Sequence, residues 1–333
     1  MTSMLSTAWS IVRAVSLLVV APITAYWSRR ADARMTYNEA LTLHIIRAVN
    51  TSLDYRMIRR LGISQRRRNV RTYPPSDEIT LPQVKGLWYG DLDASSPTIL
   101  YIHGGGFCLG SAASSSTTLI RPFLDALTRL NVHAKLFSLE YDLAPENPFP
   151  GPIDQALQAY EWLLRDGHRN IAVMGESAGG NAVLSMLQRA VEKGLPMPLC
   201  ALLLSPSVDL RGLSPCYDEN GDFDFLSKKV LTEWRHFYAG TDSKQLEAAS
   251  PGLHSVAGLP PMFVVYSLKE LYGPEIAQFV AKAASEGVAV ESLAHPYLFH
   301  VYPMLLVNHP ASNEAIEALA RFYAKRLTPS ITE

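Results

Sequence analysis

Residues 171–187 can fold in few ways. Ile171 to Met174 is an apolar run of strand character. Gly175-Glu176-Ser177-Ala178-Gly179-Gly180-Asn181 follows, and apolar residues then recur at helical spacing through Ala182, Val183, Met186 and Leu187. Strand, sharp turn and helix, with Ser177 at the apex of G-x-S-x-G, is the pattern of a nucleophile elbow: a strained turn that lifts a serine oxygen above a parallel sheet. Glycine at 175 and 179 fits such a turn, because a side chain there would meet the flanking strand and helix. A plain Gly/Ser turn would look the same in isolation, and the difference lies in partners elsewhere in the chain.

The first partner is upstream. Thr98 to Ile102 is apolar and β-branched, and it runs straight into His103-Gly104-Gly105-Gly106-Phe107. Three successive glycines let backbone N–H groups turn towards one point, which is what a developing oxyanion needs. A dinucleotide-binding loop is the competitor, but G-x-G-x-x-G fails: counted from Gly104, the third glycine position holds Leu109.

Around these two loops, apolar strands alternate with helical patterns. Strands are expected at Val70–Tyr73, Val84–Tyr89, Ala134–Leu139, Leu199–Leu204, Met262–Tyr266 and Val288–Leu293. Helices are expected at Ile153–Leu164, Ile276–Ala284 and Glu314–Leu327. Such alternation predicts an α/β fold, a mostly parallel sheet covered by helices on both faces. Residues 210–250 break the alternation and read as an inserted cap holding one helix, Leu226–Tyr238. The chain thus divides into an N-terminal segment, 1–70, and a body, 71–333.

With 333 residues, 48% hydrophobic and 18% charged, the chain can bury a large core, and a net charge of −1 offers no general attraction to nucleic acid. Cys108, Cys200 and Cys216 are an odd number, widely spaced, without C-x-x-C. That argues against a disulfide scaffold or a zinc site and favours a reducing compartment. Cys108 beside the glycine loop reads as a small core residue, not a second nucleophile. No H-E-x-x-H or other ligand cluster is present, so neither metal nor organic cofactor is expected.

The N-terminal segment is different in character. Residues 1–71 hold 12 Arg against Asp32, Glu39 and Asp54. Ala8 to Trp27 is almost wholly apolar and close to a membrane span in length, with Arg29, Arg30 and Arg34 directly after it. It reads as a membrane anchor. An interfacial helix held partly by anionic lipid, or a lid over an apolar active site, are the alternatives. Basic residues on its C-terminal side favour a body in the cytoplasm, so the expected location is intracellular, on the endoplasmic reticulum if the segment anchors and otherwise cytoplasmic.

His103-Gly104-Gly105-Gly106-Phe107, Tyr141-Asp142-Leu143-Ala144-Pro145-Glu146, Gly175 to Asn181, Leu204-Ser205-Pro206 with Val208-Asp209, Leu259-Pro260-Pro261 and Phe299-His300-Val301 together resemble the hormone-sensitive-lipase-like branch of the α/β-hydrolase superfamily, which includes arylacetamide-deacetylase-type esterases. The likeness runs from about residue 85 to the C-terminus. It implies a serine carboxylester hydrolase with a helical cap, cleaving short acyl esters of small hydrophobic molecules, deacetylation included. It also implies roles for particular residues. Ser177 is the nucleophile and His300 the base, with His295 as the other candidate. Glu270 is the acid on the motif position after Met262–Tyr266, where relatives carry Asp or Glu, with Glu275 as the alternative. The N–H groups of Gly105, Gly106 and Ala178 form the oxyanion hole, and His103 and Gly104 support the loop. Glu176 is expected to be structural. The same triad could serve a biosynthetic acyltransferase, lyase or cyclase, and the same fold could serve as a ligand receptor, although a receptor has no need of both Ser177 and His300.

Overall fold

The computed structural model describes the backbone of residues 2–31, 34–221 and 223–327, and the side chains of these residues apart from 2–8 and 29–31. The side chains of Arg29 and Arg30 therefore lie outside the described set. Three helices lead: α1 (Thr2–Ala31), α2 (Tyr37–Ser52) and α3 (Tyr55–Thr72). The body follows with β1 (Asp77–Thr80), β2 (Lys85–Gly90), β3 (Thr98–Ile102), α4 (Arg121–Arg129), β4 (Lys135–Leu139), α5 (Gly151–Arg165), β5 (Ala172–Glu176), α6 (Ala178–Glu192) and β6 (Cys200–Leu204). Next come α7 (Cys216–Glu219), α8 (Lys228–Ala239), α9 (Ser243–Ala248), β7 (Met262–Ser267), α10 (Gly273–Ser285), β8 (Val290–His295), α11 (Tyr302–Leu305) and α12 (Pro310–Leu327).

The eight strands form one sheet in the order β1-β2-β4-β3-β5-β6-β7-β8. The pairs β1–β2 and β2–β4 are antiparallel, and all others are parallel. Every residue of β3, β4, β5, β6 and β7 is buried, as expected for parallel strands covered on both faces. Helix α4 pairs with α12, and α5 with α6, one pair on each face. The sheet brings the C-terminal ends of β3, β5, β6, β7 and β8 along one rim, and ligand sites of open α/β sheets form at such rims.

Two local expectations are corrected. Val70–Tyr73 is not a strand but the last turn of α3. Asp54 caps that helix by accepting from Met57 N at 2.9 Å, and buried Asn69 ties its far end to the body through Ala113 O (3.0 Å) and Ser114 O (2.7 Å). Tertiary hydrogen bonds outweigh the β-branched preference there, and Pro74-Pro75 lies just beyond. The cap holds three helices, not one, because Ser227 and Asp242 start α8 and α9 as N-caps and Gly240 (φ +70°) ends α8.

Helices α2 and α3 are fastened to the body. Glu39, 1% exposed, meets His309 Nε2 at 2.8 Å, and Arg59 binds Glu146 (2.9 Å) and the carbonyl of Cys108 (2.7 Å). Helix α1 packs on α2. A stripe of Ala14, Ala21 and Ala25 is buried, and Ser28 Oγ meets His44 Nε2 at 2.8 Å. Its large apolar side chains point outwards, with Trp9 74%, Val19 70% and Ile23 60% exposed.

Candidate active site

Ser177 sits between β5 and α6 with φ +55° and ψ −119°, a strained conformation for a non-glycine residue. It is held there by its own backbone: its N–H donates to Leu204 O (2.9 Å), and its carbonyl accepts from Asn181 N (3.1 Å) and Ser207 N (3.0 Å). The turn needs Gly179, where a Cβ would run into the carbonyls of Ile102 and His103 on the neighbouring strand.

His300, on the loop after β8, brings Nε2 to 2.8 Å from Ser177 Oγ. Its Nδ1 faces Glu270 Oε1 at 3.7 Å, longer than a hydrogen bond, and neither atom has another hydrogen-bond partner. The contact is therefore Coulombic at this separation. His300 and Glu270 are 2% and 0% exposed. Burial alone pulls the imidazole pKa down. The Glu270 carboxylate, joined by Asp224 and Glu176, overcomes this and holds it above the ordinary value. Glu270 Oε2 accepts from Ser205 Oγ at 2.7 Å, and the same oxygen of Ser205 accepts from Val301 N at 3.1 Å. Ser205, itself at φ +45°, thus couples the acid loop to the base loop.

Neither alternative candidate reaches this cluster. Glu275 lies in the first turn of α10 near Asp209, Arg211 and Arg235, and burial with the nearby Asp209 pushes its carboxyl up to about 8. His295 accepts from Tyr297 N (3.4 Å) and Leu298 N (3.2 Å), so it shapes the loop that carries His300.

The glycine loop faces Ser177 from β3. Gly105 (φ +106°) and Gly106 (φ +61°) take conformations that L side chains rarely adopt. No protein acceptor among the described residues takes their N–H groups or that of Ala178 at the start of α6. Gly104 N is used differently: it donates to Glu176 Oε1 at 2.8 Å. Burial pushes the Glu176 carboxyl up to about 7, against the pull of that N–H. His103 donates from Nδ1 to Gly104 O (2.8 Å) and stacks on Tyr141, whose hydroxyl donates to His103 O at 2.8 Å. Burial drives its pKa down to about 4, so the ring is neutral and braces the loop. Cys108 is buried, its thiol pushed up to about 12, and all three cysteines are free. Among the described residues, no group of three or more His, Cys, Asp and Glu side chains is placed to hold a metal ion.

Ser177, His300 and the loop glycines open on a cavity of about 210 Å³, walled by Phe225, Leu231, Trp234 and Met304 among others. Trp234 of α8 lies against Gly106, where a Cβ would strike its indole, so the cap rests on the glycine loop. Two contributors were not legible in the sequence. Ser205 lies within Leu204-Ser205-Pro206, and the motif by itself gives it no role. Asp224, 0% exposed inside the cap insertion, accepts from Leu271 N (2.9 Å) and Leu226 N (3.2 Å), and burial pushes it up to about 6. No local motif marks Asp224; an acidic residue flanked by Phe223, Phe225 and Leu226 is its one signal.

Comparison with known proteins gives consistent matches. The family described as "alpha/beta hydrolase fold" matches residues 99–304. The esterase LipI of Mycobacterium tuberculosis is 31% identical over 231 residues, covering 67% of this chain and 70% of LipI. An acetyl-hydrolase of Streptomyces hygroscopicus is 28% identical over 253 residues, 75% of this chain and 82% of the relative. Among solved structures, the hormone-sensitive-lipase homologue EstE7 from a metagenome library superposes with a TM-score of 0.74 at 28% identity, over 86% of this chain and 97% of that one.

Proposed function

The chain belongs to the hormone-sensitive-lipase-like carboxylesterases of the α/β-hydrolase fold, which are serine hydrolases, and from that premise we propose that it cleaves short acyl esters of small hydrophobic alcohols, acetyl esters included. The observation that carries this is the 2.8 Å approach of His300 Nε2 to Ser177 Oγ on the same cavity wall as three N–H groups without protein acceptors.

In the proposed reaction His300, with its proton on Nδ1 towards Glu270, takes the Ser177 proton on Nε2 as Oγ attacks the ester carbon. The carbonyl oxygen becomes an oxyanion held by Gly105, Gly106 and Ala178. His300 then gives that proton to the leaving alcohol, and water, activated the same way, releases the acid and restores Ser177. Glu270 fixes the tautomer and stabilises the imidazolium. The separation of 3.7 Å suits a resting site whose hydrogen bond tightens as charge develops. A cavity of about 210 Å³ is smaller than the roughly 300–1,000 Å³ of drug-sized ligand sites, which favours small esters. Assay of p-nitrophenyl esters from acetate to palmitate tests this: kcat/KM should peak at two to four acyl carbons, about tenfold or more above palmitate. A maximum at palmitate would discard the short-chain assignment.

The pH dependence follows from the base. His300 must be neutral to accept the Ser177 proton, and its pKa lies above the ordinary value of about 6.5. Activity is therefore present at high pH and lost as pH falls through that raised value. The acid limb of kcat/KM should have its midpoint above pH 6.5 and move down when the Glu270 charge is removed. A limb well below 6.5 in the native chain would contradict the Glu270–His300 coupling.

We read α1 as a membrane anchor. Trp9–Ser28 has a mean hydropathy of 1.6 and is only 17% buried, and 30 helical residues extend about 45 Å. The arginine surplus that follows favours leaving the body on the cytoplasmic side. The lid alternative draws no support from the described part of α1, because among the described residues the cavity is lined by Asn50 of α2 and by none of α1. The native chain should pellet with membranes, and a Val12→Asp, Val19→Asp, Ile23→Asp variant should shift to the supernatant. A native chain found in the supernatant, with altered ester preference in the variant, would instead make α1 a lid.

A further inference from the structure

The cavity beside Ser177 has a mostly apolar wall, and Ser207, Tyr272 and Arg235 form a polar group of neighbours within it. Arg235 projects from α8, the cap helix, and is fixed in place. Nη1 donates to Arg211 O at 3.1 Å and Nη2 to Thr232 Oγ1 at 3.0 Å. Gly212 (φ +65°) passes directly beneath, where a Cβ would occupy the space of the guanidinium. Neutral acceptors take those two donors, and the buried Nε has none. Among the described residues no carboxylate lies within 4 Å of this guanidinium. Its acidic neighbours do not neutralise it. Asp209 is paired with Arg211 at 2.7 Å, and Glu275 is protonated in large part at neutral pH, its carboxyl pushed up to about 8. Ser207 Oγ is likewise buried without a partner, and the Tyr272 ring stands edge-on to His300 at 5.3 Å.

A half-buried, rigid, uncompensated cation costs free energy in an apolar ester pocket, and a cap helix could present a leucine there instead. An incoming carboxylate would supply the missing charge and accept from a planar fork of N–H donors. Resting on the esterase reading above, we propose that the preferred substrates are acidic esters, with a carboxylate a few carbons from the scissile bond that binds at Arg235 with Ser207 and Tyr272. Arg235 is thus a specificity determinant, apart from the groups that make and break the ester.

Two matched pairs of esters test the proposal: monoethyl glutarate against ethyl pentanoate for a carboxylate on the acyl side, and 4-acetoxybutanoate against butyl acetate for one on the alcohol side. In the native chain one acidic ester should exceed its neutral partner in kcat/KM by about tenfold or more, chiefly through KM. Arg235→Gln should bring that ratio below one, and Arg235→Lys should restore part of it, because the charge returns without the fork. A structural tie alone would change both members of a pair equally and leave the ratio where it was. The proposal is overturned if neutral esters are turned over well while both acidic ones are poorer, or if the ratio survives Arg235→Gln in a protein whose melting temperature matches the native one. Turnover of none of the four removes the esterase reading together with it.

Discussion

Ser177→Ala is expected to lower kcat on p-nitrophenyl butyrate by about 10⁴-fold or more, with little change in KM, because the members of such a triad act as a unit. No other nearby hydroxyl or thiol can stand in. Ser205 Oγ is committed to Glu270 and Val301, Ser207 Oγ has no hydrogen-bond partner to act as its base, and the Cys108 thiol is buried and pushed up to about 12. The substitution keeps a Cβ at φ +55°, so it introduces no new backbone strain and the melting temperature should stay near the native one. The residual rate then measures what Gly105, Gly106 and Ala178 supply on their own. Retention of a tenth of the native rate by a pure preparation would exclude Ser177 as the nucleophile.

The second large effect concerns the acid. Glu270→Gln should cost roughly 10³–10⁴ in kcat, as loss of the orienting carboxylate does in serine proteases when the wrong imidazole tautomer results. The amide keeps the shape and can still accept from Ser205 Oγ, so the effect reads charge and tautomer apart from packing. The His300 pKa should drop in this variant, since burial would act on it with less opposition. Glu275→Gln is the control. That carboxyl is largely protonated at neutral pH and makes no contact with His300, so the loss should stay within a few-fold. A dead Glu275 variant beside an active Glu270 variant would reverse the assignment.

Part of this site was legible because its geometry is written locally. The elbow needs a strand, a helix and two glycines within five positions, and the oxyanion loop needs three glycines in a row, so contiguous residues carry the signal. The alternation of apolar strands and amphipathic helices likewise implied a parallel sheet, and with it a common rim for the loops after β3, β5, β7 and β8. Glu270 and His300 are marked only by their position in motifs shared with the family, since neither has a local pattern that distinguishes it from Glu275 or His295.

Tertiary structure decided what depends on pairs far apart in the chain. Ser205 became the coupling between acid and base only when β6 was set beside β7. Asp224 became a buried carboxylate only when the cap folded over Leu271. In the sequence nothing sets Arg235 apart from the other charges of Leu226–Tyr238, and packing against Gly212 makes it a fixed cation on a mostly apolar cavity wall. The first helix shows the same division. Its length and hydropathy follow from composition alone. Which face it buries, the Ala14, Ala21 and Ala25 stripe, follows from its packing on α2, which leaves Trp9, Val19 and Ile23 outside.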